Sequence, residues 1–461
     1  MVRLFNHWFP SNTVLQVAFD AILLFVAFML ATLWLNRGNP SQLELQLPVA
    51  ILFAVAVVGV NSLIGLYQRD PYRTGIPMAA RVMLSLLLSL TVGFGVLRFL
   101  PWSDMHEDVL KLAALGALGV LFLVRGYLTH WGRSPMFVRR VLVFGTGAEA
   151  VAVEHSLRQF GPHMSIVGFY PTPNQDREHA IVTEKVFADV LPLAETARHH
   201  NVDDLIVAVR ERRGGVLPLN DLLQCKLSGV RVLDLSSYYE RALGQVRLNT
   251  LHASWLIFGD GFRQSFLRTT IKRLFDIVVS MVVFVVALPI MLLAVIAVLV
   301  EDGFPILYRQ ERIGQAGRVF PVIKFRSMRN DAEVDGKPRW AACNDDRVTC
   351  VGRVMRKLRI DELPQLINVL RGDMSLVGPR PERPFFVDSL TRDVPFYAAR
   401  HSVKPGITGW AQVRYHYGAS VDDSVQKLQY DLFYVKNHTL FLDLLILFET
   451  VGVVITGKGA Q

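Results

Sequence analysis

At 461 residues, with 51% hydrophobic side chains and a mean hydropathy of +0.32, the chain has room for several domains and is too apolar for an ordinary soluble one. Its three cysteines, Cys225, Cys343 and Cys350, form no CxxC pair and no even-numbered set, which excludes a disulfide scaffold and a cysteine zinc site. The formal net charge of +9 suits nucleic acid, an anionic lipid surface or a phosphorylated substrate, and charge alone does not choose among them.

Four apolar segments, 14–35, 47–66, 76–97 and 109–128, open the chain, each near the length needed to cross a bilayer. The first lies too far from a cleavable small-residue site to act as a signal peptide. The loop "YQRDPYRTG" and the segment carrying Arg133, Arg139 and Arg140 are basic, whereas "PWSDMHED" is acidic, so both ends of this four-helix bundle are expected in the cytoplasm. Asp20, Arg81, Lys111 and Arg125 within or beside the spans read as snorkelling or interhelical pairs in preference to a transport path.

From about Arg140 the pattern changes to β-branched runs, "RVLVFG", "MSIVGFY", "DLIVAV" and "VRVLDL", separated by polar helical stretches, which predicts a Rossmann-like α/β domain. Its first strand leads into "GTGAEA", where Gly145 and Gly147 could bring backbone N–H groups against a pyrophosphate. The second strand ends in Tyr170 and Pro171, with no carboxylate for a ribose, so a structural or regulatory domain is expected in place of a working dinucleotide site.

A fifth apolar run, 277–300, is long enough to span, but Lys272 and Arg273 precede it and Arg309, Arg312 and Arg318 follow it, so both flanks prefer the cytoplasm. Pro289 near its middle favours a bend. A re-entrant membrane helix over 271–300 is the expectation. The last apolar run carries Asp443 and Glu449 and suits an interfacial helix better than a span.

Next come "YRQERIG", "KFRSM" and "GRVMRKLR", basic clusters ahead of adjacent carboxylates, Asp361 and Glu362, in "DELPQL". Arg353, Arg356 and Lys357 share a helix face by spacing. Asp361 reads as an N-cap, with Pro364 in the first turn and Gly372 at the helix end. Paired carboxylates among cations suit phosphoryl transfer, which needs an oxygen nucleophile, a metal ligand and positive groups for moving charge. Adjacent residues on one turn do not easily flank a sugar ring as a glycosidase pair does.

With "KRLFD", "RQERIG", "KFRSM", "DELPQL", "SLVGPRPE" and "KPGITGWAQV" in this order, the chain from Arg263 to Gln461 resembles the bacterial sugar transferase family, monotopic polyprenyl-phosphate phosphoglycosyl transferases. The preceding spans and α/β domain look like its long form, which starts exopolysaccharide or O-antigen assembly. The implied organisation is a transmembrane domain over 1–135, the Rossmann-like domain over 136–262, and over 263–461 a mainly α catalytic domain with the re-entrant helix, on the cytoplasmic face of the bacterial inner membrane. The resemblance implies that Asp361 attacks the β-phosphate of a UDP-sugar and releases UMP. The aspartyl phosphosugar then passes its phosphosugar to polyprenyl phosphate. Glu362 would hold Mg²⁺, Lys324, Arg326 and Arg380 would contact phosphates, and Gly378, Pro379, Arg380 and Pro381 would shape the nucleotide side. One position departs from the family: Leu288, where Ser is frequent, precedes Pro289.

The expected partners are therefore a UDP-sugar, polyprenyl phosphate and membrane lipid, with a homodimer as the assembly and no nucleic acid. Two other classes compete: a membrane-anchored nucleotide-sugar oxidoreductase or epimerase using "GTGAEA", which lacks the ribose carboxylate and a Tyr-x-x-x-Lys pair, and a non-catalytic scaffold, which leaves the dyad unexplained.

Overall fold

The computed structural model describes residues 2–4, 7–9, 11–35, 40–63, 138–160, 164–172, 185–187, 191–209, 217–248, 262, 265–329, 347–415 and 420–456, with isolated positions near 112–119. It divides into two units, one running from Trp8 to Leu243 and the other from Gly244 to Gln461.

In the first unit, α1 (Ser11–Leu35) and α2 (Pro40–Leu63) cover the first two apolar segments. They pack through Leu24, Phe28, Ala31, Phe53 and Val57, with Thr32 Oγ1 donating to Gln46 Oε1 at 3.0 Å. Asp20 is fully buried. The expected spans 76–97 and 109–128 lie outside the described residues apart from those isolated helical positions, as do Arg81, Lys111 and Arg125.

The four β-branched runs form strands, β1 (Arg139–Phe144), β2 (Met164–Tyr170), β3 (Asp204–Val207) and β4 (Arg231–Asp234), in one parallel sheet of order β2-β1-β3-β4. Helices α3 (Ala148–Phe160), α4 (Leu193–His199), α5 (Leu219–Leu227) and α6 (Leu235–Leu243) accompany it. Two buried clusters, one around Val141, Val143 and Ile206 and one around Leu142, Phe144 and Leu205, follow the alternation of strand side chains. The order reverses between β1 and β3, where a ligand crevice would open in such a sheet. Here Gly145 is at φ +119, and a Cβ on it would stand 2.7 Å from the Ala208 carbonyl oxygen. Close strand packing therefore accounts for the first glycine of "GTGAEA" without a nucleotide.

The second unit begins at Gly244, so 244–262, expected with the α/β domain, falls within the second unit. Trp410 Nε1 donates to the Gly244 carbonyl at 2.7 Å, Gln245 Nε2 donates to Gln429 Oε1 at 2.9 Å, and Val246 lies in the core. Helix α7 (Phe266–Asp302) comes next, starting at an N-cap Ser265 that accepts from Arg268 N–H and containing Pro289. A hairpin of β5 (Leu307–Ile313) and β6 (Val319–Phe325) follows, pairing Tyr308 with Lys324. After α8 (Cys350–Lys357), α9 (Gln365–Arg371) leads to β7 (Ser375–Val377) and α10 (Pro384–Asp393). Then β8 (Gly406–Thr408), parallel to β7, precedes α11 (Trp410–Arg414), α12 (Val421–Asn437) and α13 (Leu440–Thr456).

At 37 residues, α7 would be about 55 Å long if straight. Its buried positions, Asp276, Ser280, Ala287, Met291, Ala294 and Val298, follow its first ten residues and reach almost to its end. Near the start, Arg273 donates to the Val369 and Leu370 carbonyls at 2.6 and 2.8 Å. At the far end, the Glu301 carboxylate accepts from Cys350 N–H at 2.7 Å and Val351 N–H at 3.0 Å. The remaining face, including Leu274, Val278, Val282, Val286, Leu293 and Val300, is exposed and apolar.

Candidate active site

The dyad lies on a 3₁₀ turn, Ile360–Glu362, and not at the helix N-cap expected from the sequence; the N-cap of α9 is Pro364. In a continuous α-helix the Pro364 ring would meet the Ile360 carbonyl and lack a hydrogen to donate, so the helix starts only after it. Arg359, at φ 58, turns the chain out of α8 into this tight turn. The other end is as expected: Gly372 at φ +97 donates to the Asn368 and Val369 carbonyls and closes α9.

Lys324 reaches the dyad because β6 is fastened to α9. The fully buried Asn368 side chain accepts from Ile323 N–H at 3.0 Å and donates to the Pro321 carbonyl at 2.8 Å, filling a strand partner's place. Lys324 Nζ is then 3.2 Å from Glu362 Oε1, and Arg380 Nη2 is 2.8 Å from the same oxygen. Arg359 Nη1 stands 3.8 Å from Glu362 Oε2. Burial alone would push the Glu362 carboxyl up; Arg380, Lys324 and Arg359 together override it and hold the group well below the usual carboxylate range. Burial also pushes the Lys324 ammonium down, against the pull of Glu362.

Asp361 is the opposite case. It is 8% exposed, and its Oδ1 is buried with no hydrogen-bond partner. Burial first, and the charge of Glu362 second, push its carboxyl up, opposed by Lys324, Arg356 and Arg380. An uncommitted carboxylate oxygen in a cationic surround is disposed to attack an electrophile or bind a cation.

The "GPRP" turn is held on every side. Gly378 N–H donates to the Thr408 carbonyl at 2.9 Å, and the Pro379 carbonyl accepts from Gly406 N–H at 3.0 Å. A Cβ on Gly378 would clash with the Lys404 carbonyl oxygen, so the β7–β8 approach requires glycine there. Arg312 Nη1 donates to the Pro381 carbonyl at 3.3 Å.

Arg326, expected among the phosphate contacts, is placed differently. Its Nη2 donates to the Asp302 and Gly303 carbonyls, both at 2.7 Å, and stands 3.1 Å from the Asp302 carboxylate, fastening the end of α7 to the hairpin. On α8, Arg356 turns inward, donating to Ser327 Oγ at 3.0 Å, while Arg353 and Lys357 are exposed.

Sequence reasoning missed the buried groups behind the turn. Arg400 Nη2 donates to the Arg380 carbonyl at 2.9 Å and pairs with Asp431 at 2.7 Å, while its Nη1 donates to the Tyr397 hydroxyl at 2.7 Å. Lys272 Nζ donates to Asp443 Oδ2 at 2.7 Å and to the Val377 carbonyl at 3.3 Å; the Tyr434 hydroxyl reaches Asp443 Oδ1 at 2.7 Å. The only available signal was the presence of charges in apolar stretches, Asp443 among them.

No cluster of three or more metal-ligating side chains occurs among the described residues. A magnesium ion that keeps several waters and shares substrate phosphates needs only one or two carboxylates. The unpartnered Asp361 Oδ1 and the neighbouring Glu362 carboxylate fit that donor set.

The family model for bacterial sugar transferases matches residues 267–457. An Aeromonas hydrophila UDP-N-acetylgalactosamine-undecaprenyl-phosphate N-acetylgalactosaminephosphotransferase is 42% identical over 52% of this chain and 56% of its own length. A Komagataeibacter xylinus undecaprenyl-phosphate glucose phosphotransferase is 32% identical over 72% of this chain and 63% of its own. The chain thus spans somewhat more than half the length of these two relatives. A UDP-glucose:undecaprenyl-phosphate glucose-1-phosphate transferase of Xanthomonas campestris pv. campestris is 31% identical over 73% of this chain and 71% of its own length. With that coverage and the motifs assembled around one dyad, the chain belongs to the bacterial sugar transferase family.

Proposed function

We propose that this protein transfers a sugar 1-phosphate from a UDP-sugar to undecaprenyl phosphate, with Asp361 as the nucleophile. The observation that carries the reading is the contrast within the dyad: Glu362 takes the cations while Asp361 keeps a buried oxygen without a partner. A carboxylate oxygen of Asp361 attacks the β-phosphorus of the UDP-sugar. The bond from that phosphorus to the bridging oxygen breaks, and UMP leaves with the electron pair. An oxygen of undecaprenyl phosphate then attacks the same phosphorus, the bond to Asp361 breaks, and the carboxylate is regenerated. Undecaprenyl phosphate is already an anion, so its attack needs no strong general base.

Lys324 and Arg380 are positioned by Glu362 to meet charge developing on the phosphoryl oxygens. Glu362 and the incoming phosphates would hold Mg²⁺, which supplies charge neutralisation at the diphosphate. The relatives' names include N-acetylgalactosamine and glucose as the transferred sugars, so the hexose itself is not assigned. As the first membrane step of a polysaccharide, the reaction joins a soluble donor to a lipid acceptor at the cytoplasmic face of the inner membrane. The basic flanks of α7, its exposed apolar face and its attachment to the same unit near both ends support a helix that enters and leaves the bilayer on one side at Pro289. An oxidoreductase reading is weaker, because Gly145 is accounted for by strand packing.

The test uses purified full-length protein with Mg²⁺, undecaprenyl phosphate and a panel of UDP-sugars, measuring UMP release and covalent labelling by the donor. Asp361→Asn is expected to abolish both. Full activity in that variant would remove Asp361 from the mechanism, and absence of UMP release from the wild type with every donor would overturn the activity.

A further inference from the structure

We propose that a cleft between the first turns of α7 and the start of α13 binds the phosphate of an anionic membrane phospholipid, apart from the reacting dyad. The cleft has a volume of about 560 Å³, within the range of about 300–1,000 Å³ usual for small-molecule sites. Four cations, Arg268, Lys272, Arg273 and Lys404, line it together with a single carboxylate, Asp276. Lys272 is paired with Asp443, and Arg273 is bonded to two carbonyls but keeps its charge. Lys404 has no hydrogen bond or ion pair to any described residue. Arg273 Nη2 and Lys404 Nζ converge, standing 3.4 and 3.6 Å from the point a Cβ on Gly372 would occupy. Burial first and the Arg273 charge second push the Lys404 ammonium down, a crowding that a bound anion would relieve.

The other walls identify the anion's carrier. Ile271, Leu440, Phe441 and Leu444 line the cleft, and exposed Phe266, Leu267 and Leu274 on α7, with Leu444, Phe448 and Val451 on α13, give its surroundings apolar surface. A phosphate joined to acyl chains matches this pairing of cations and apolar surface better than a free anion does. None of Asp361, Glu362, Lys324 or Arg380 lines the cleft, so a lipid held there is not at the nucleophile. One link is the Val377 carbonyl, which accepts from Lys272 one residue before the "GPRP" turn. A lipid in the cleft would thus steady that turn from behind.

The experiment titrates detergent-solubilised full-length protein with dioctanoyl phosphatidylglycerol or dioctanoyl phosphatidylcholine and counts bound lipids by native mass spectrometry, a readout independent of transferase activity. Saturable binding of the anionic lipid, with much weaker binding of the zwitterionic one, is expected. Arg268→Gln and Lys404→Gln should each weaken it by about fivefold, the worth of one basic residue at a charged lipid surface, and Lys404→Arg should restore it. Arg268 is exposed, so its variant reads binding even if the Lys404 substitution disturbs folding. Equal affinity for both lipids, or unchanged affinity in Arg268→Gln and Lys404→Gln, would overturn the proposal. Displacement by inorganic phosphate at equal concentration would give the cleft to a soluble anion. Competitive displacement by undecaprenyl phosphate would give it to the acceptor; either outcome overturns the assignment.

Discussion

Arg380 donates to Glu362 Oε1 at 2.8 Å, and the two residues come from different sides of the site, one from the "GPRP" turn and one from the 3₁₀ turn before α9. Their contact makes Glu362 a fixed anion that gathers cations beside Asp361 without spending the Asp361 oxygen. Within the dyad, Glu362 carries the ion pairs to Lys324 and Arg380, while Asp361 keeps a buried oxygen without a hydrogen-bond partner.

Removing Arg380 should therefore cost both chemistry and stability. Arg380→Ala is expected to lower UMP release by about 10²–10³, the usual loss for one preorganised charge-stabilising donor. Stability should fall by only about 1–2 kcal/mol, because Lys324 still pairs with Glu362 and Arg380 is partly exposed. Steady-state kinetics and thermal denaturation of the same preparation check the two effects. Arg380→Lys should recover more stability than rate, since the ammonium keeps the charge but loses the planar donor geometry.

Acid should destabilise the unit through His401. Burial, and then the neighbouring Arg400 charge, push the His401 imidazole down from its ordinary value of 6.5 to about 4. The folded state thus favours the neutral ring. That stability is complete above about pH 6.5 and is lost as pH falls through 4, for a total on the order of 2–3 kcal/mol. His401→Gln, which does not titrate, should flatten the dependence of the denaturation midpoint between pH 7 and 4 relative to wild type. Parallel curves for the two proteins would show that other groups carry the acid sensitivity.

The dyad, Lys324 and the "GPRP" turn were legible because each sits in a short motif of charged residues, Gly and Pro, and the four strands because β-branched runs announce them. The position of Asp361 was misjudged by one turn: Pro364 is tolerated at a helix start, but it also stops the helix from extending back over the dyad. Arg326, expected at the phosphates from its company in "KFRSM", bonds the Asp302 and Gly303 carbonyls where the preceding helix ends, a contact the motif alone does not announce. The supports behind the site, Lys272 with Asp443 and Arg400 with Asp431, join residues far apart in the chain, and no local periodicity records such pairs.

The division at Gly244 bears on which part of the chain is sufficient for chemistry. A protein beginning at Gly244 should keep measurable transferase activity in detergent, because the α/β sheet shares no residue with the dyad. One beginning at Arg263 should be less stable by several kcal/mol. It lacks the buried Val246 and the Gln245–Gln429 bond, and leaves the Trp410 indole N–H without its acceptor. Thermal midpoints and UMP release for both truncations decide the matter. Equal stability would mean that 244–262 adds nothing to the core, and a folded but inert protein from Gly244 would bring the α/β domain into catalysis.

The membrane geometry of α7 is open to a direct test. If the helix crossed the bilayer, its two ends would lie in different compartments. Yet Arg273 near one end bonds α9 carbonyls, Glu301 near the other caps α8, and these two helices flank the dyad turn in sequence. A bilayer core of about 30 Å between those ends leaves no room for the same folded unit to hold both. Pro289 deletes a helix hydrogen bond and crowds the carbonyl one turn earlier, so on the proposed re-entrant geometry a bend there would let the apolar face enter lipid while both ends stay on one side. In a background without Cys225, Cys343 and Cys350, cysteines introduced as Thr270→Cys and Arg309→Cys are both exposed and outside the bonds just named. Both should react with a membrane-impermeant maleimide only from the cytoplasmic side. Periplasmic labelling at position 309 alone would exclude re-entry. Pro289→Ala restores the missing donor, and on the proposed geometry it should shift position 309 toward periplasmic labelling with activity lost in proportion; unchanged labelling and activity would remove Pro289 as the cause and leave the packing along Ala287, Met291, Ala294 and Val298.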